Sequence, residues 1–469
     1  MTATFLVIIL LSLGLAALSK LGHVHQRAED FFVASGQFNA VLFFFLGVGE
    51  TYSITSIFGY PGGIYAGGID FVTWFIGYIL LAFVVGYFLN PLIWRAGRMH
   101  GAVTMPDLFR RHFGSRALEV VVTCASLIFL IPLGMQQFLG LQIVLQVMHW
   151  SISPLLVTSL AGLLAFAYIA ISGIRASAYV AVLKDVLVIL AIILTASAAL
   201  HHWTMNSQAS IPIAALRKSA MGVTLQGNIF SITTILTQCV GFCIVPMTCA
   251  YVFTARSASA VRQAQITMPL YMLMFPLLTF IAYFAVYHPA LRIQSANEVF
   301  PDVVQAILSR PLTGLVMAGA TLSALVVLTG VCLTIGSLVS RNLIPGLSSD
   351  QQRQWSKVII VAYLLLSIAG AATSSQLLVT INNLFYFGIV QALPGMMGIL
   401  FLRRMRPAAI IAGILAGDIT AIVVFEFALP VDGVNAGLIG LLVNMAIVLF
   451  ALRFFPDRER KPIAAMTRV

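Results

Sequence analysis

The sequence predicts an all-α polytopic membrane protein with about thirteen transmembrane helices. Composition is the first reason. Hydrophobic residues make up 60% of the chain and charged residues 9%, against about 25% charged in an ordinary soluble domain. A chain so poor in polar groups cannot cover its own surface in water, which excludes a soluble enzyme, a nucleic-acid binder and a disordered protein. Helices facing lipid are free to be apolar all round. The second reason is that apolar stretches close to the ~20 residues needed to cross a bilayer recur along the chain. The third is the distribution of its cations, described below.

The spans follow in chain order. Residues 3–19 lack an early basic stretch and a small-residue cleavage pattern, so they read as a retained peripheral helix rather than a removed signal. Spans two to six are expected at 38–60, 67–94, 117–147, 152–172 and 177–200, and spans seven to eleven at 226–254, 266–289, 312–340, 358–374 and 376–402. The last two are divided at Ser374–Ser375, because 358–402 is too long for one crossing. Spans twelve and thirteen are expected at 408–428 and 434–452. The whole, 1–469, reads as one integral membrane domain, with core repeats over about 38–200 and 226–402 and two extra helices after them.

The net charge of +11 is a topology signal. With this division, twenty-one of the 26 Lys and Arg fall on one side. Only Arg217, Lys218, Arg292 and Arg310 fall on the other, and Lys184 lies within a span. Basic connections stay in the cytoplasm, so the N-terminus is expected outside and the C-terminus inside.

Two spans are not smooth. Span two carries Gly47, Gly49, Glu50, Thr51, Tyr52 and Ser53, and span seven carries Gln238, Gly241, Pro246 and Thr248. Glycine frees the backbone and proline removes a helix hydrogen bond. Unwound backbone at membrane depth is tolerated only inside protein or along a cavity. The two breaks are five spans apart, the relation expected of inverted five-helix repeats with a binding site between their broken first helices. On the third helix of each repeat, Gln136 and Gln137 of span four and Ser323, Thr329 and Thr334 of span nine can face the same place.

Charges inside spans are costly and are read first as functional. Glu50 stands at the break, in a setting suited to taking up and releasing a proton. Lys184 and Asp185 point about 100° apart on a helix and are expected to pair with other helices, while Asp418 reads as structural. Cys124, Cys239, Cys243, Cys249 and Cys332 read as small core residues. No GxxxxGK[ST], HExxH or GxSxG occurs, so neither an ATP-driven pump nor an enzyme is expected, and no cofactor.

The stretches Ala28-Glu-Asp-Phe-Phe-Val-Ala-Ser-Gly36 and Ile57-Phe-Gly-Tyr-Pro-Gly-Gly-Ile-Tyr65 resemble the sodium/solute symporter family. Within it the chain looks most like the bacterial monocarboxylate permease branch, on Val103-Thr-Met-Pro-Asp-Leu-Phe-Arg-Arg111, Pro132 with Gln137 and Gly140, Ser172-Gly-Ile-Arg-Ala176, Lys184-Asp185, Arg341-Asn342, and Gln391 with Pro394. The resemblance implies a LeuT-like core with solute between spans two and seven. It also implies a sodium site formed by carbonyls of span two, matching Gly49 and Tyr52, and hydroxyls of span nine. Val326 and Val327 stand at the paired hydroxyl positions, with Ser323 one turn earlier. The expected partners are therefore a small organic solute, first a monocarboxylate, a coupling ion that is sodium or a proton, and the lipid of a bacterial inner membrane. The expected solute-binding residues are Glu50, Thr51, Ser53, Gln137 and Thr248, and the expected sodium ligands are Gly49, Tyr52 and Ser323. An amino acid, a carboxylate-rich chelate, a transporter-derived sensor and a channel are the rival readings.

Overall fold

Long apolar runs make single helices wherever neither glycine nor proline interrupts them, because no water is present in lipid to satisfy an open backbone. The computed structural model describes residues 1–19, 28–150, 153–205, 224–288, 291–457 and 459–466. Lys20, Arg27, Arg217, Lys218, Arg458 and Arg468 of the charge count lie outside the described residues, as does the side chain of Glu50. Ten described helices are long and apolar enough to cross a membrane, and Thr2–Leu18, Ala40–Gly49 and Ser159–Ile171 are shorter apolar helices. Each of the thirteen expected segments overlaps one of these. The described residues hold no strand, only an isolated bridge between Phe38 and Ala255.

Several boundaries are set by local chemistry. Asn39 caps helix Ala40–Thr51 by accepting a bond from the Leu42 amide at 2.9 Å. Helical backbone after the break runs over Tyr60–His100 and is interrupted at Gly68, whose φ of 77° and ψ of 178° separate span two from span three. Only glycine adopts that conformation cheaply. Ser115 caps Arg116–Met148 (span four), and Ser348 with Gln351 forms a capping box on Ser349–Thr373 (span ten). Span eight begins earlier than its apolar run predicts, with helix Ala258–Thr267, a tight turn Met268–Leu273 containing Pro269, and Met274–Tyr287.

The packing is layered about span nine (Arg310–Ser337, extended by a wide turn Leu338–Leu343). Its most apolar stretch is 94% buried, against 33% and 28% in Pro407–Glu426 (span twelve) and Ala436–Phe454 (span thirteen). Span nine is therefore the centre, and the last two spans form an outer pair. In that pair a Cβ built on Gly440 would meet the Gly417 carbonyl oxygen at 2.3 Å, the close backbone approach that small residues permit in lipid. Asn444 donates to the Gln391 carbonyl at 2.8 Å, and Gln391 donates to the Gly437 carbonyl at 3.1 Å, which ties the pair to Leu378–Leu400 (span eleven). Leu10, Phe88, Leu163, Leu365, Ile419 and Phe450 remain exposed around the outside, as lipid-facing side chains must.

The basic connections meet at one end. There the Phe38 amide donates to the Thr254 carbonyl at 2.8 Å and the Arg256 amide to the Phe38 carbonyl at 2.9 Å. Arg98 donates to the Gly36 carbonyl at 2.7 Å, and Arg175 binds Asp30 and Gln37, each at 2.8 Å. Beside this clasp, Asp107 accepts bonds from the Val103 amide, Arg341 and Asn342, and Asn342 also donates to Glu119 at 2.8 Å.

Candidate functional site

Span two is broken after Thr51. The backbone turns out of helical geometry at Tyr52 (φ −100°, ψ 62°) and re-enters through a wide turn over Thr55–Gly59. Span seven is broken at Val245 (φ −53°, ψ 131°), where Leu225–Ile244 gives way to Pro246–Thr254. Proline at the first position of a helix costs nothing there, but it forbids the hydrogen bond that would join the two halves.

The span two break is held from three sides. From span four, Gln136 accepts a bond from the Thr55 hydroxyl at 2.7 Å. Gly140, one turn along the same face, lies against Ile54, whose Cδ1 would be 2.5 Å from a Cβ built on that glycine. From span eight, the Tyr271 carbonyl accepts the Tyr52 hydroxyl, and the Tyr52 ring lies 5.3 Å from Tyr271 and 5.6 Å from Phe275. From span nine, the Ser323 hydroxyl donates to the Tyr52 carbonyl. Gly140→Val should therefore drive a branched side chain into Ile54 and displace the break. Overpacking of this kind costs about 1–3 kcal/mol. The expected outcome is a lowered thermal midpoint together with loss of solute uptake, measured on the same preparation.

Thr51, Ser53 and Gln137 are buried beside this break or on the helix that holds it, and Thr248 is buried in Pro246–Thr254. Thr51 accepts the Ser56 hydroxyl at its backbone carbonyl. Among the described residues, Thr51 Oγ1, Gln136 Nε2 and Gln137 Oε1 have no hydrogen-bond partner. Gln137 donates through Nε2 to the Leu133 carbonyl at 3.2 Å. Tyr52 and Ser323 are brought together by a direct hydrogen bond.

Lys184 and Asp185, on Ile174–Met205 (span six), correct an expectation. They pair with each other, Nζ to Oδ1, and both side chains are fully buried. The flexible lysine stem bridges the angle that helix geometry sets between neighbours. The ammonium also approaches Gly49, 3.8 Å from a Cβ built there, with Val326 Cγ1 at 3.3 Å. Asp418 is buried in span twelve, and its Oδ1 has no partner among the described residues. Glu426 ends span twelve and is exposed.

The sequence named both Gln136 and Gln137 as able to face the breaks but assigned only Gln137 to the solute, and it passed over Thr55 and Tyr271. Thr55 lies one turn beyond Thr51, and that spacing was a usable signal. No sequence signal pointed Lys184 toward Gly49.

A family model described as "Sodium:solute symporter family" matches residues 31–417. The chain is 25% identical to the uncharacterized symporter YhjB of Bacillus subtilis, covering 94% of both chains. It is 24% identical to a monocarboxylate transport permease protein of Rhizobium johnstonii, over 83% of this chain and 80% of that one. In structure it is similar to a Na+-coupled sialic acid symporter solved in a substrate-bound outward-open state, with a TM-score of 0.78, 16% identity and 98% of both chains covered. It is also similar to MhsT in complex with L-phenylalanine, with a TM-score of 0.57, 14% identity, and 88% and 98% covered. The fold is thus LeuT-like, with the two broken helices as first members of its repeats.

Proposed function

Because the chain belongs to the sodium:solute symporter family, a family of transporters rather than enzymes, we propose that it moves a small monocarboxylate inward across a bacterial inner membrane. Uptake is coupled to a cation, sodium or a proton, and solute is held between spans two and seven. The observation that carries this reading is that buried polar atoms without partners among the described residues stand at the span two break and on the helix that holds it: Thr51 Oγ1, Gln136 Nε2 and Gln137 Oε1, with Gln136 bonded to Thr55. Buried polar groups in folded proteins are nearly always bonded, so these atoms suit a polar solute that completes them. A carboxylate accepts from amide and hydroxyl donors, and Gln136, Thr51 and Ser53 offer both kinds. Thr248 and Glu50 are assigned to the same cavity, from span seven and from the end of Ala40–Thr51. The relative of R. johnstonii, named for monocarboxylate transport, favours this class of solute. The gathering of the basic connections at one end of the bundle supports a cytoplasmic C-terminus and an external N-terminus.

The class of solute is tested by competition on the purified protein. Labelled pyruvate should bind and be displaced by other short monocarboxylates, but not by their amides. Thr51→Ala combined with Gln136→Ala should weaken binding by about tenfold, the effect of one or two lost hydrogen bonds at about 1 kcal/mol each. Displacement only by amino acids, or only by polycarboxylate chelates, would assign the site to one of those rivals.

A further inference from the structure

The family resemblance places a sodium ion between span two carbonyls and span nine hydroxyls, and the residues present do not fit one. Sodium is a hard cation and needs several oxygen ligands, as hard cations generally do. Val326 and Val327, both buried, stand where paired hydroxyls would be required. The Ser323 hydroxyl is spent on the Tyr52 carbonyl, so two of the expected ligands engage each other. Val326 Cγ1 closes on Gly49, 3.3 Å from a Cβ built there.

A positive charge already stands at the same place. Lys184 Nζ lies 3.8 Å from that Gly49 Cβ position, its side chain is fully buried, and Asp185 Oδ1 touches it. Asp185 is the ammonium's ion-pair partner. A charge this deep is expensive unless compensated. Asp185 supplies an opposite charge, and Ala40–Thr51 ends beside Gly49 with the partial negative charge of a helix C-terminus. Both stabilise a cation there, whether free or attached to the chain.

Resting on the cation-coupled reading above, we propose that the Lys184 ammonium, held by Asp185, is a tethered cation in the position the resemblance gives to sodium, and that this chain takes no sodium ion there. The contact between spans six and two is then made by a side chain instead of an ion that arrives and leaves. The ion that drives uptake is not sodium bound at this break.

The test is a sodium titration of the purified full-length chain, with sodium chloride exchanged for choline chloride at constant ionic strength and the thermal midpoint as readout. An ion that binds only the folded state raises the midpoint with the logarithm of its concentration. The wild type should stay flat over roughly a hundredfold range of sodium. Lys184→Ala removes the ammonium and leaves Asp185 beside a gap, so its midpoint should rise with sodium. A saturable rise in the wild type would overturn the proposal, and so would a Lys184→Ala midpoint as flat as the wild type's. If that variant fails to fold, equilibrium binding of labelled sodium to the wild type decides: saturable binding at this break, lost when Asp185 is replaced by Asn, overturns the proposal, and its absence supports it. The transport reading fails separately, by absence of concentrative pyruvate uptake under any imposed gradient, and that failure leaves the sodium titration unmoved.

Discussion

Glu50→Gln is expected to abolish accumulation of solute against a gradient while leaving the protein folded and inserted. Glu50 occupies the last turn of Ala40–Thr51, next to the unwound segment. A carboxylate at a helix C-terminus is opposed by the helix dipole, typically by about 0.3–1 kcal/mol, and a charge at membrane depth costs at least a few kcal/mol more by insertion scales. That cost is the reason to expect a function for this residue. Glutamine keeps the shape and the hydrogen-bonding reach and removes the charge. The accumulation ratio should fall to one, with the thermal midpoint unchanged or raised. Concentrative uptake at the wild-type level by this variant would remove Glu50 from the working site.

The second large effect falls on folding. Asp107→Ala should lower stability by about 3–5 kcal/mol, the range for removing one partner of a buried ion pair. Asp107 Oδ2 accepts from Arg341 Nε at 2.7 Å and from the Val103 amide at 2.9 Å, and Oδ1 accepts from Asn342 Nδ2 at 2.9 Å. Through Asn342 and Glu119 the cluster joins the short helix Met105–Phe113, the start of span four and the end of span nine. Alanine would leave the Arg341 guanidinium without this acceptor and the fully buried Asn342 amide with Glu119 alone. The expected result is a sharp fall in monodisperse protein on size exclusion and in the thermal midpoint. Asp107→Asn keeps part of the hydrogen bonding and should fall between alanine and wild type. A midpoint for Asp107→Ala equal to the wild type's would contradict this account of the cluster.

The architecture was legible because it rests on signals that lipid makes strong. Span two breaks at Tyr52, within a turn of Gly47 and Gly49, and span seven at Val245, just before Pro246, in otherwise apolar runs. The described basic residues Arg98, Arg175 and Arg341 engage connections that the charge count had put on one side, because topology is a matter of counting. The site was less legible because helical rotation decides it. Gln136 and Gln137 differ by one residue, about 100° on the helix, and the sequence does not say which amide meets Thr55. Lys184 and Asp185 were harder still. Their backbone directions diverge, but a four-carbon stem can curl toward its neighbour and toward Gly49, and only packing against span nine fixes that choice. Ser323 shows the same limit from the other direction: the family resemblance placed its hydroxyl near the Tyr52 carbonyl, but not that the two would bond to each other.

The central claim is that solute is moved uphill by a cation gradient through a cavity at the span two break. The most direct measurement is uptake of labelled pyruvate by proteoliposomes with an imposed proton gradient, an imposed sodium gradient, or neither. The account predicts accumulation above the external concentration under a cation gradient, its loss when an ionophore collapses that gradient, and its loss in Glu50→Gln. Equilibration without accumulation under both gradients, unaffected by the ionophore, would contradict it and point to a passive path through the membrane.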